Sequence, residues 1–429
     1  MRWLVVFLCA CTSPLAVRDG FIRDADGGAV ILRGVNVSPS HKRAPFLDRE
    51  VDYGFVRDAL GMNSVRFLVE WQAIAPARGE IDQAYLDAVA AEVERATRAE
   101  LYVIVDMHQD LFGGGFAGGN GAPRWACAED RYLAFVPRAP WMLGYADENV
   151  IACFDAFWRD PALQDEYARA WAAVARTLVK NPRVVGFDPM NEPHWGAFEL
   201  DAFEARVLPK LYARVIAAVR AQAPSWIAFV EPASSRNLGV ATALPSFSEA
   251  NVVYAPHLYD AGAEQGSGFS DDRRAALTAN AVALAEEARA RGLALWIGEY
   301  GGQPKHAGIT AYMDAVYDAL SPACIGAGYW ALGKDDAYSI FDRDGVPKDT
   351  LLDAIVRPYP ERVAGTPRSC AYDEATRTFT LETSGGAGET VISVPARVYP
   401  DGVTCEGCVV KNGRAHVPGS RTTIHIGAP

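Results

Sequence analysis

Residues 184–193 read VVGFDPMNEP, a short apolar run that ends in a cluster of polar residues. Residues 294–301, ALWIGEYG, follow the same pattern and place Glu299 at the end of the run. Short apolar runs of this kind are typical of strands that are buried on both faces, as in parallel sheets. Each stretch therefore predicts a buried strand that brings one glutamate, Glu192 or Glu299, to the edge of a sheet.

Similar apolar runs occur about eight times between residues 29 and 330, and segments with helical periodicity separate them. This alternation indicates parallel strands joined by crossover helices. Eight strands favour an α/β fold in which the sheet closes into a (β/α)8 barrel. The predicted strands are 30–37, 64–68, 101–106, 184–190, 226–230, 252–256, 294–298 and 325–329, and the predicted helices include 83–99, 163–180, 200–223, 271–291 and 310–320.

The pattern changes after residue 358, where short alternating segments punctuated by glycine replace the long helices. These segments, 378–383, 389–394, 396–399 and 422–426, predict a small antiparallel β-sandwich. We therefore divide the chain into a leader at 1–18, a catalytic barrel at 19–358 and a C-terminal β-sandwich domain at 359–429.

The leader has the features of an export signal. Arg2 precedes an eight-residue apolar stretch, residues 3–10, which is too short to span a bilayer. The sequence Leu8-Cys9-Ala10-Cys11 also resembles a bacterial lipobox, in which Cys11 would carry the lipid anchor. We expect a secreted protein, either lipid-anchored at the cell envelope or released by an ordinary signal cleavage.

Composition and cysteine content narrow the range of partners. A net charge of −12 argues against a nucleic-acid partner, because phosphate binding requires a basic surface. In an exported protein the cysteines can form disulfides, and Cys127 with Cys153 could close the long loop after the third strand. For Cys405 and Cys408 we expect a structural disulfide or buried thiols, since no second ligand pair accompanies them. We expect a monomer.

The chemistry follows from the two strand-end glutamates. Catalytic side chains of barrel enzymes lie at the C-terminal ends of the strands, so Glu192 and Glu299 should share one rim. Two facing carboxyl groups can cleave a glycosidic bond when one protonates the leaving oxygen and the other attacks the anomeric carbon. This reaction requires no cofactor, and no cluster of residues has metal-ligand spacing, so we expect neither cofactor nor metal.

The ordered set of strand-end residues resembles glycoside hydrolase family 5 of clan A. The resemblance covers about residues 29–335 and implies that Glu192, preceded by Asn191, is the acid/base and that Glu299 is the nucleophile. In this reading Arg66 keeps Glu299 ionised, Asn191 bonds the sugar 2-hydroxyl and Tyr259 orients Glu299. The remaining matches, which would bind the sugar or neighbouring carboxylates, are His108, His257 and Trp330.

Within the family, residues 106–110 (DMHQD) and 120–125 (NGAPRW) resemble the endoglycoceramidase and glycosylceramidase-like group. That resemblance implies cleavage between a sugar headgroup and ceramide in glycosphingolipids, at a membrane surface or micelle. It also implies that Lys42 and Asp110 bind the sugar unit next to the scissile glycosidic bond. An apolar strip for the lipid is expected from the third loop, with Leu111, Phe112, Phe116, Trp141 and Met142 as candidates.

Several alternatives remain open at this stage. The bulky His194-Trp195 pair after Glu192 could narrow the site toward one hexose, which would give a glucosyl- or galactosylceramidase. A family 5 β-glucanase or mannanase would use the same catalytic set in an open aromatic cleft. A non-catalytic sugar- or lipid-binding protein is the weakest alternative, because both glutamates are present.

Overall fold

A computed structural model of the chain describes residues 15–305, 308–334 and 337–429. Most of the predicted leader, including Cys11, lies outside these residues. Three short strands begin the described chain, β1 (Ala16–Arg18), β2 (Phe21–Arg23) and β3 (Ala29–Val30). Because β1 pairs with β2, a cleavage after residue 18 would remove a paired strand.

The central element is a closed barrel of eight parallel strands, which confirms the predicted fold. Its strands are β4 (Arg33–Val37), β5 (Ser64–Val69), β6 (Tyr102–Met107), β7 (Val184–Asp188), β8 (Ile227–Val230), β9 (Val252–Tyr254), β10 (Ala294–Tyr300) and β11 (Gly326–Leu332). The strands are buried because helices cover the outside of the barrel and side chains fill the inside.

The helices surround the barrel or lie in its loops. They are α1 (Trp71–Ile74), α2 (Gln83–Arg98), α3 (Glu129–Ala134), α4 (Glu148–Arg159), α5 (Pro161–Leu178), α6 (Leu200–Arg206), α7 (Leu208–Arg220), α8 (Ala261–Gln265), α9 (Asp271–Ala290), α10 (Ile309–Leu320) and α11 (Asp349–Ile355). The segment 200–223, predicted as one helix, is two helices. Pro209 near the start of α7 explains the break, since proline has no amide hydrogen to continue a helical ladder. Among the described residues, no helix is long and apolar enough to cross a membrane.

The C-terminal region forms two antiparallel sheets, as expected for a β-sandwich. Its strands are β12 (Tyr359–Val363), β13 (Pro367–Asp373), β14 (Thr378–Thr383), β15 (Glu389–Ser393), β16 (Val409–Lys411), β17 (Arg414–Pro418) and β18 (Thr423–Ile426). Apolar side chains such as Phe379, Ile392 and Ile426 form the core between the sheets. The predicted strand at 396–399 is wrong: the amides of Val398 and Tyr399 both donate to the carbonyl of Pro395, which makes a turn.

The larger of these two sheets also contains the N-terminal strands. Its order is β1-β2-β3-β12-β15-β17-β16, with β3 antiparallel to β12. The predicted strand 30–37 is therefore two strands, β3 in this sheet and β4 in the barrel. Asn63 fixes the passage between them, because its side chain accepts from the amide of Arg33 and donates to the carbonyl of Ile31.

Three disulfides are present in the described residues. Cys127 is bonded to Cys153, as predicted, with the Cα atoms 5.4 Å apart. The Cys405–Cys408 disulfide also agrees with the structural role expected for this pair. The third, Cys324–Cys370, was not predicted and links the segment between α10 and β11 to strand β13, so it ties the barrel to the sandwich.

Removing the interdomain disulfide should destabilise the protein more than removing the short one. Cys324 and Cys370 are 46 residues apart, whereas Cys405 and Cys408 are 3 apart, and a longer closed loop restricts the unfolded chain more. Urea unfolding of the double variant Cys324→Ser/Cys370→Ser should lose about 2–4 kcal/mol. The matched control Cys405→Ser/Cys408→Ser should lose clearly less; equal losses would contradict the expectation.

Candidate active site

Eight of the ten predicted site residues line one cavity of about 590 Å³ at the C-terminal ends of the barrel strands, and Arg66 and His257 lie beneath it in contact with the catalytic glutamates. This is the face on which barrel enzymes carry their catalytic groups. The side chains around the cavity include Lys42, His108, Asp110, Asn191, Glu192, Tyr259, Glu264, Glu299, Trp330 and Tyr338.

Arg66, on β5, lies at the centre of the site and its side chain is fully buried. Four carboxylates surround its guanidinium group. The nitrogen-to-oxygen distances are 2.7 Å to Glu299, 2.8 Å to Asp188, 3.0 Å to Asp106 and 3.0 Å to Glu231. A buried cation is tolerated only when such partners compensate for its lost hydration, so these acids and Arg66 stabilise one another.

Glu299, on β10, is held at both carboxylate oxygens. Arg66 donates to Oε1 at 2.7 Å, and the Tyr259 hydroxyl donates to Oε2 at 2.9 Å. Burial opposes ionisation of Glu299, but the positive charges of His257 and Arg66 outweigh it, so the pKa of Glu299 lies below its usual value. At neutral pH the group is a fixed carboxylate, as a nucleophile must be.

Glu192 follows β7 and differs from Glu299 in its surroundings. Its Oε1 contacts His257 Nδ1 at 2.8 Å and accepts from Asn237 Nδ2 at 2.6 Å. Burial raises the pKa of Glu192 above its usual value, although the hydrogen bond and charge of His257 act in the opposite direction. A carboxyl group with a raised pKa beside an ionised one matches the division of labour between a general acid and a nucleophile.

The separation of the two glutamates determines which reaction they can perform. An oxygen of Glu192 and an oxygen of Glu299 lie within 4.8 Å of each other. Retaining hydrolysis requires a spacing of about 5 to 5.5 Å, whereas inversion requires about 6.5 to 9.5 Å to accommodate a water molecule. The spacing therefore supports double displacement through a covalent sugar-enzyme intermediate.

One wall of the cavity is polar and carries the predicted sugar-binding residues. Lys42 Nζ lies 2.7 Å from Asp110 and 4.3 Å from the centre of the Trp330 ring. His108 stacks on Trp330 and bonds Asp106 at 2.7 Å through Nδ1. This wall joins charged groups to a flat aromatic face, which suits the hydroxyls and the apolar face of a sugar ring.

Asn191 and the loop after β6 hold each other in place. The Asn191 side chain accepts from Arg66 at 3.0 Å and donates to the carbonyl of Gln109 at 3.1 Å. In return, the Gln109 side chain donates to the carbonyls of Asn191 and Glu192. Asn191 also lines the cavity, so a bond to the sugar 2-hydroxyl stays a prediction.

The predicted apolar strip is wrong for three of its five members. Leu111, Phe112 and Phe116 are almost completely buried inside the third loop. A loop of this length requires a core of its own, and Phe112 supplies part of it by packing on the aromatic rings of α4. Trp141 and Met142 do line the cavity, and 45% of Trp141 is exposed.

The His194-Trp195 pair is not among the cavity-lining residues in the described part of the chain. The two rings stack on each other with centroids 4.3 Å apart, and His194 also stacks on Tyr145. The expectation that this pair narrows the sugar site is therefore not met. The aromatic rings of the third loop offer a better-packed environment than the open cavity does.

Several residues of the site were not predicted. Glu231 follows β8 directly, so the rule that selects polar residues at strand ends could have found it. Asn237 lies within a short helical turn, Ser234–Leu238, and nothing in the sequence signals its contact with Glu192. Glu264, on α8, is a fourth carboxyl group at the cavity, beside Asp110, Glu192 and Glu299, and burial raises its pKa to about 7.

Glu192, His257 and Glu299 are also close enough together for a metal ion to bridge them. Arg66 already supplies a cation to Glu299, and hydrolysis by two carboxyl groups requires no metal. The absence of a metal stays a prediction. With an acid and a fixed carboxylate at double-displacement distance on a barrel rim, the fold and site define a retaining glycosidase.

Comparisons with known proteins identify the family. Residues 24–336 match the model "Cellulase (glycosyl hydrolase family 5)", and residues 357–426 match "Glycoside hydrolase family 5 C-terminal domain". The chain belongs to glycoside hydrolase family 5. Within that family, it is 28% identical to endoglycoceramidase I of Rhodococcus hoagii, with 93% of this chain and 82% of the relative covered.

Solved structures agree with this assignment. Endo-glycoceramidase II from Rhodococcus sp. in complex with ganglioside GM3 is 30% identical, with a TM-score of 0.86, covering 96% of this chain and 100% of that one. The same enzyme as a lactosyl-enzyme intermediate gives a TM-score of 0.85 at 30% identity, with the same coverage. An endogalactoceramidase at 23% identity, with a TM-score of 0.77, covers 97% of this chain and 100% of that one and shows the shared fold.

Replacing Arg66 should destabilise the protein in a pH-dependent way. In Arg66→Met the buried carboxylates lose their cation, which should cost at least about 3 kcal/mol of unfolding free energy. Arg66 helps to lower the pKa values of Glu231 and Glu299, so without it their folded-state values should rise above the unfolded value of about 4, and the deficit should grow as pH rises from there.

Urea unfolding between acidic and neutral pH measures this effect. The control Arg98→Met removes an exposed helix pair with Glu94 and should cost less than about 1 kcal/mol at every pH. A deficit in Arg66→Met that is constant across pH would contradict the proposed charge balance.

Proposed function

We propose that this protein hydrolyses the β-glycosidic bond between the sugar headgroup and the ceramide of glycosphingolipids, with retention of configuration. Glu299 attacks the anomeric carbon while Glu192 protonates the leaving ceramide oxygen. Glu192 then removes a proton from the water that displaces the sugar from Glu299, which regenerates both groups. The spacing and opposite pKa shifts of the two glutamates carry this assignment.

The contrast within the cavity supports a lipid-linked sugar. Lys42, Asp110 and Trp330 form the polar wall, whereas Trp141 and Met142 bring apolar surface to the same opening. A glycosphingolipid presents the same combination, a hydroxyl-rich headgroup joined to hydrocarbon. Burial of each ceramide CH2 group is worth about 0.8 kcal/mol, so even a short apolar surface contributes to binding. The likeness to endoglycoceramidases supports this substrate class.

Product analysis tests the reaction and its residues together. Wild-type protein should release ceramide from at least one of glucosylceramide, galactosylceramide and ganglioside GM3, while a soluble β-glucan should remain intact. Glu299→Gln should fold normally and abolish release, because an amide cannot form the intermediate. Glu192→Ala should retain more activity on aryl glycosides with good leaving groups than on the lipids.

Mass spectrometry of the sugar and lipid products, with circular dichroism as the folding control, gives the result. Cleavage of the glucan alone would overturn the lipid assignment and leave the catalytic pair intact. Full activity of Glu299→Gln would overturn its role as nucleophile.

We also propose that the rim of the cavity contacts the lipid surface that holds the substrate. Large apolar side chains are exposed on two loops at the catalytic face. The loop after β6 carries Leu133, Val136, Trp141 and Leu143, and the loop after β8 carries Leu238 and Val240. Exposure reaches 76% at Leu133 and 80% at Leu238. Several large apolar side chains exposed on the loops around a cavity fit a docking site for lipid.

Variants of this rim should affect only membrane-bound substrate. Leu143→Ser and Leu238→Ser should each lower hydrolysis of glycosphingolipid in phosphatidylcholine vesicles. They should leave hydrolysis of a soluble aryl glycoside within about twofold, because the bond-cleaving groups are untouched. As a matched control, Val409→Ser removes an equally exposed apolar side chain from the C-terminal domain, 68% exposed, and should change neither rate. Equal loss on both substrates would contradict lipid docking.

We propose export of the protein as well. Disulfides persist in oxidising compartments, and three are present in the described residues. The apolar leader predicted at residues 1–18 fits the same location. Whether Cys11 carries lipid stays a prediction that labelling with a radioactive fatty acid in a bacterial host can test.

A further inference from the structure

Glu231 is a buried carboxylate whose position suggests more than structural support. It follows β8 directly, and 2% of the residue is exposed. Its Oε2 accepts a hydrogen bond of 2.9 Å from the backbone amide of Glu192. Its Oε1 receives Arg66 at 3.0 Å and lies 3.2 Å from His257 Nε2. Each oxygen of Glu231 therefore has a partner in the active site.

His257 connects Glu231 to the carboxyl group of Glu192. Its ring lies between the two acids, with Nδ1 2.8 Å from Glu192 Oε1 and Nε2 close to Glu231. Burial disfavours the charged imidazole, but the negative charges of Glu231 and Glu299 outweigh it and raise the pKa of His257 well above its usual value. An imidazolium in this position donates from Nδ1 to Glu192 and forms an ion pair with Glu231 on its Nε2 side.

The backbone of Glu192 gives a second reason for the contact with Glu231. Its φ angle is +43°, in the left-handed region, which is unfavourable for a non-glycine residue. Such a conformation persists only where the surroundings hold it, and it is concentrated at functional sites. A hydrogen bond from the strained residue's own amide to a carboxylate is charge-assisted and strong.

We propose that Glu231 is a positioning residue that holds Glu192 at both ends, directly at the backbone amide and through His257 at the carboxyl group. The inference rests on the proposed function, in which Glu192 is the acid/base. Glu231 touches neither substrate nor reacting atoms. It keeps the strained backbone of Glu192 in place and gives His257 the counter-charge that it needs to stay protonated beside Glu192.

The charge state of Glu231 is consistent with this role. Burial opposes its ionisation, yet the charges of His257 and Arg66 lower its pKa below the usual value. Burial and the nearby charge of Glu231 raise the pKa of Asp188 well above its usual value. The other charged or titratable groups that face Glu192 and His257 are Arg66, Tyr259, Glu264 and Glu299.

Glu231→Gln tests the proposal through leaving-group dependence. The substrates are 2,4-dinitrophenyl and phenyl β-glucosides and β-lactosides, of which the dinitrophenyl compounds need little acid assistance. General acid catalysis contributes roughly 10²–10⁴-fold, so misplacing the acid should slow the phenyl glycosides about 10- to 100-fold more than the dinitrophenyl glycosides. If the wild type cleaves none of the four, the proposed function fails and the role of Glu231, which rests on it, is overturned with it.

The pH profile separates the effect of the charge of Glu231 from the effect of the length of its side chain. Removing a negative charge beside His257 and Glu192 makes it easier for these two groups to lose a proton. The basic limb of kcat/KM should therefore move to lower pH by roughly one unit in Glu231→Gln. Glu231→Asp keeps the charge but shortens the reach to the Glu192 amide, so it should show the leaving-group dependence with a basic limb close to that of the wild type.

Glu204→Gln provides the matched control. Glu204 is buried and accepts from the backbone amide of Ala233 at 2.8 Å, so it holds the loop after β8 without contacting a catalytic group. It should lower stability without changing the leaving-group ratio or the basic limb. Glu231 variants that behave like Glu204→Gln, losing activity equally on all substrates with an unchanged pH profile, would overturn the proposal.

Discussion

The buried guanidinium of Arg66 is the interaction on which the rest of the site depends. Strands β6, β7, β8 and β10 each bring a carboxyl group to it, at their ends or in the residue that follows. None of these acids could remain ionised alone at this depth, because removing a charge from water costs several kcal/mol. Arg66 has all its partners only when the strands around it are in register. The same closure of the barrel therefore places the catalytic charges.

The sequence predicted those parts of the site that depend on strand ends. A strand end is a local feature, and a closed barrel brings all such ends to one rim, so Glu192 and Glu299 could be placed without knowledge of the loops, whereas Arg66, which lies within β5, came from the family resemblance. Asn237 could not, because its contact with Glu192 depends on the path of the loop after β8. The prediction for the third loop was wrong for a related reason. Its apolar residues were assigned to ligand binding, whereas most of them form the core that a loop of this length needs.

The fold was predicted in outline for similar reasons, and its errors lie where chain pairing is non-local. Hydrophobic runs located the barrel strands to within a few residues. They could not show that the run at 30–37 changes sheet, because that depends on pairing with residues more than 300 positions away. Proline marks two of the remaining errors, the break between α6 and α7 and the turn at 396–399.

The seven-stranded sheet has a consequence for how the chain acquires its structure. Its first three strands come from residues 16–30, and the strand that pairs with them begins at residue 359. During synthesis, strands β1, β2 and β3 therefore have one unpaired edge until almost the whole barrel has been made. Non-local pairing of this kind slows folding, because a long loop must close, at a cost in chain entropy, before the stabilising contacts form. The N-terminal strands thus gain their partner only after the barrel has been made, and an interrupted chain would expose an open sheet edge that favours aggregation.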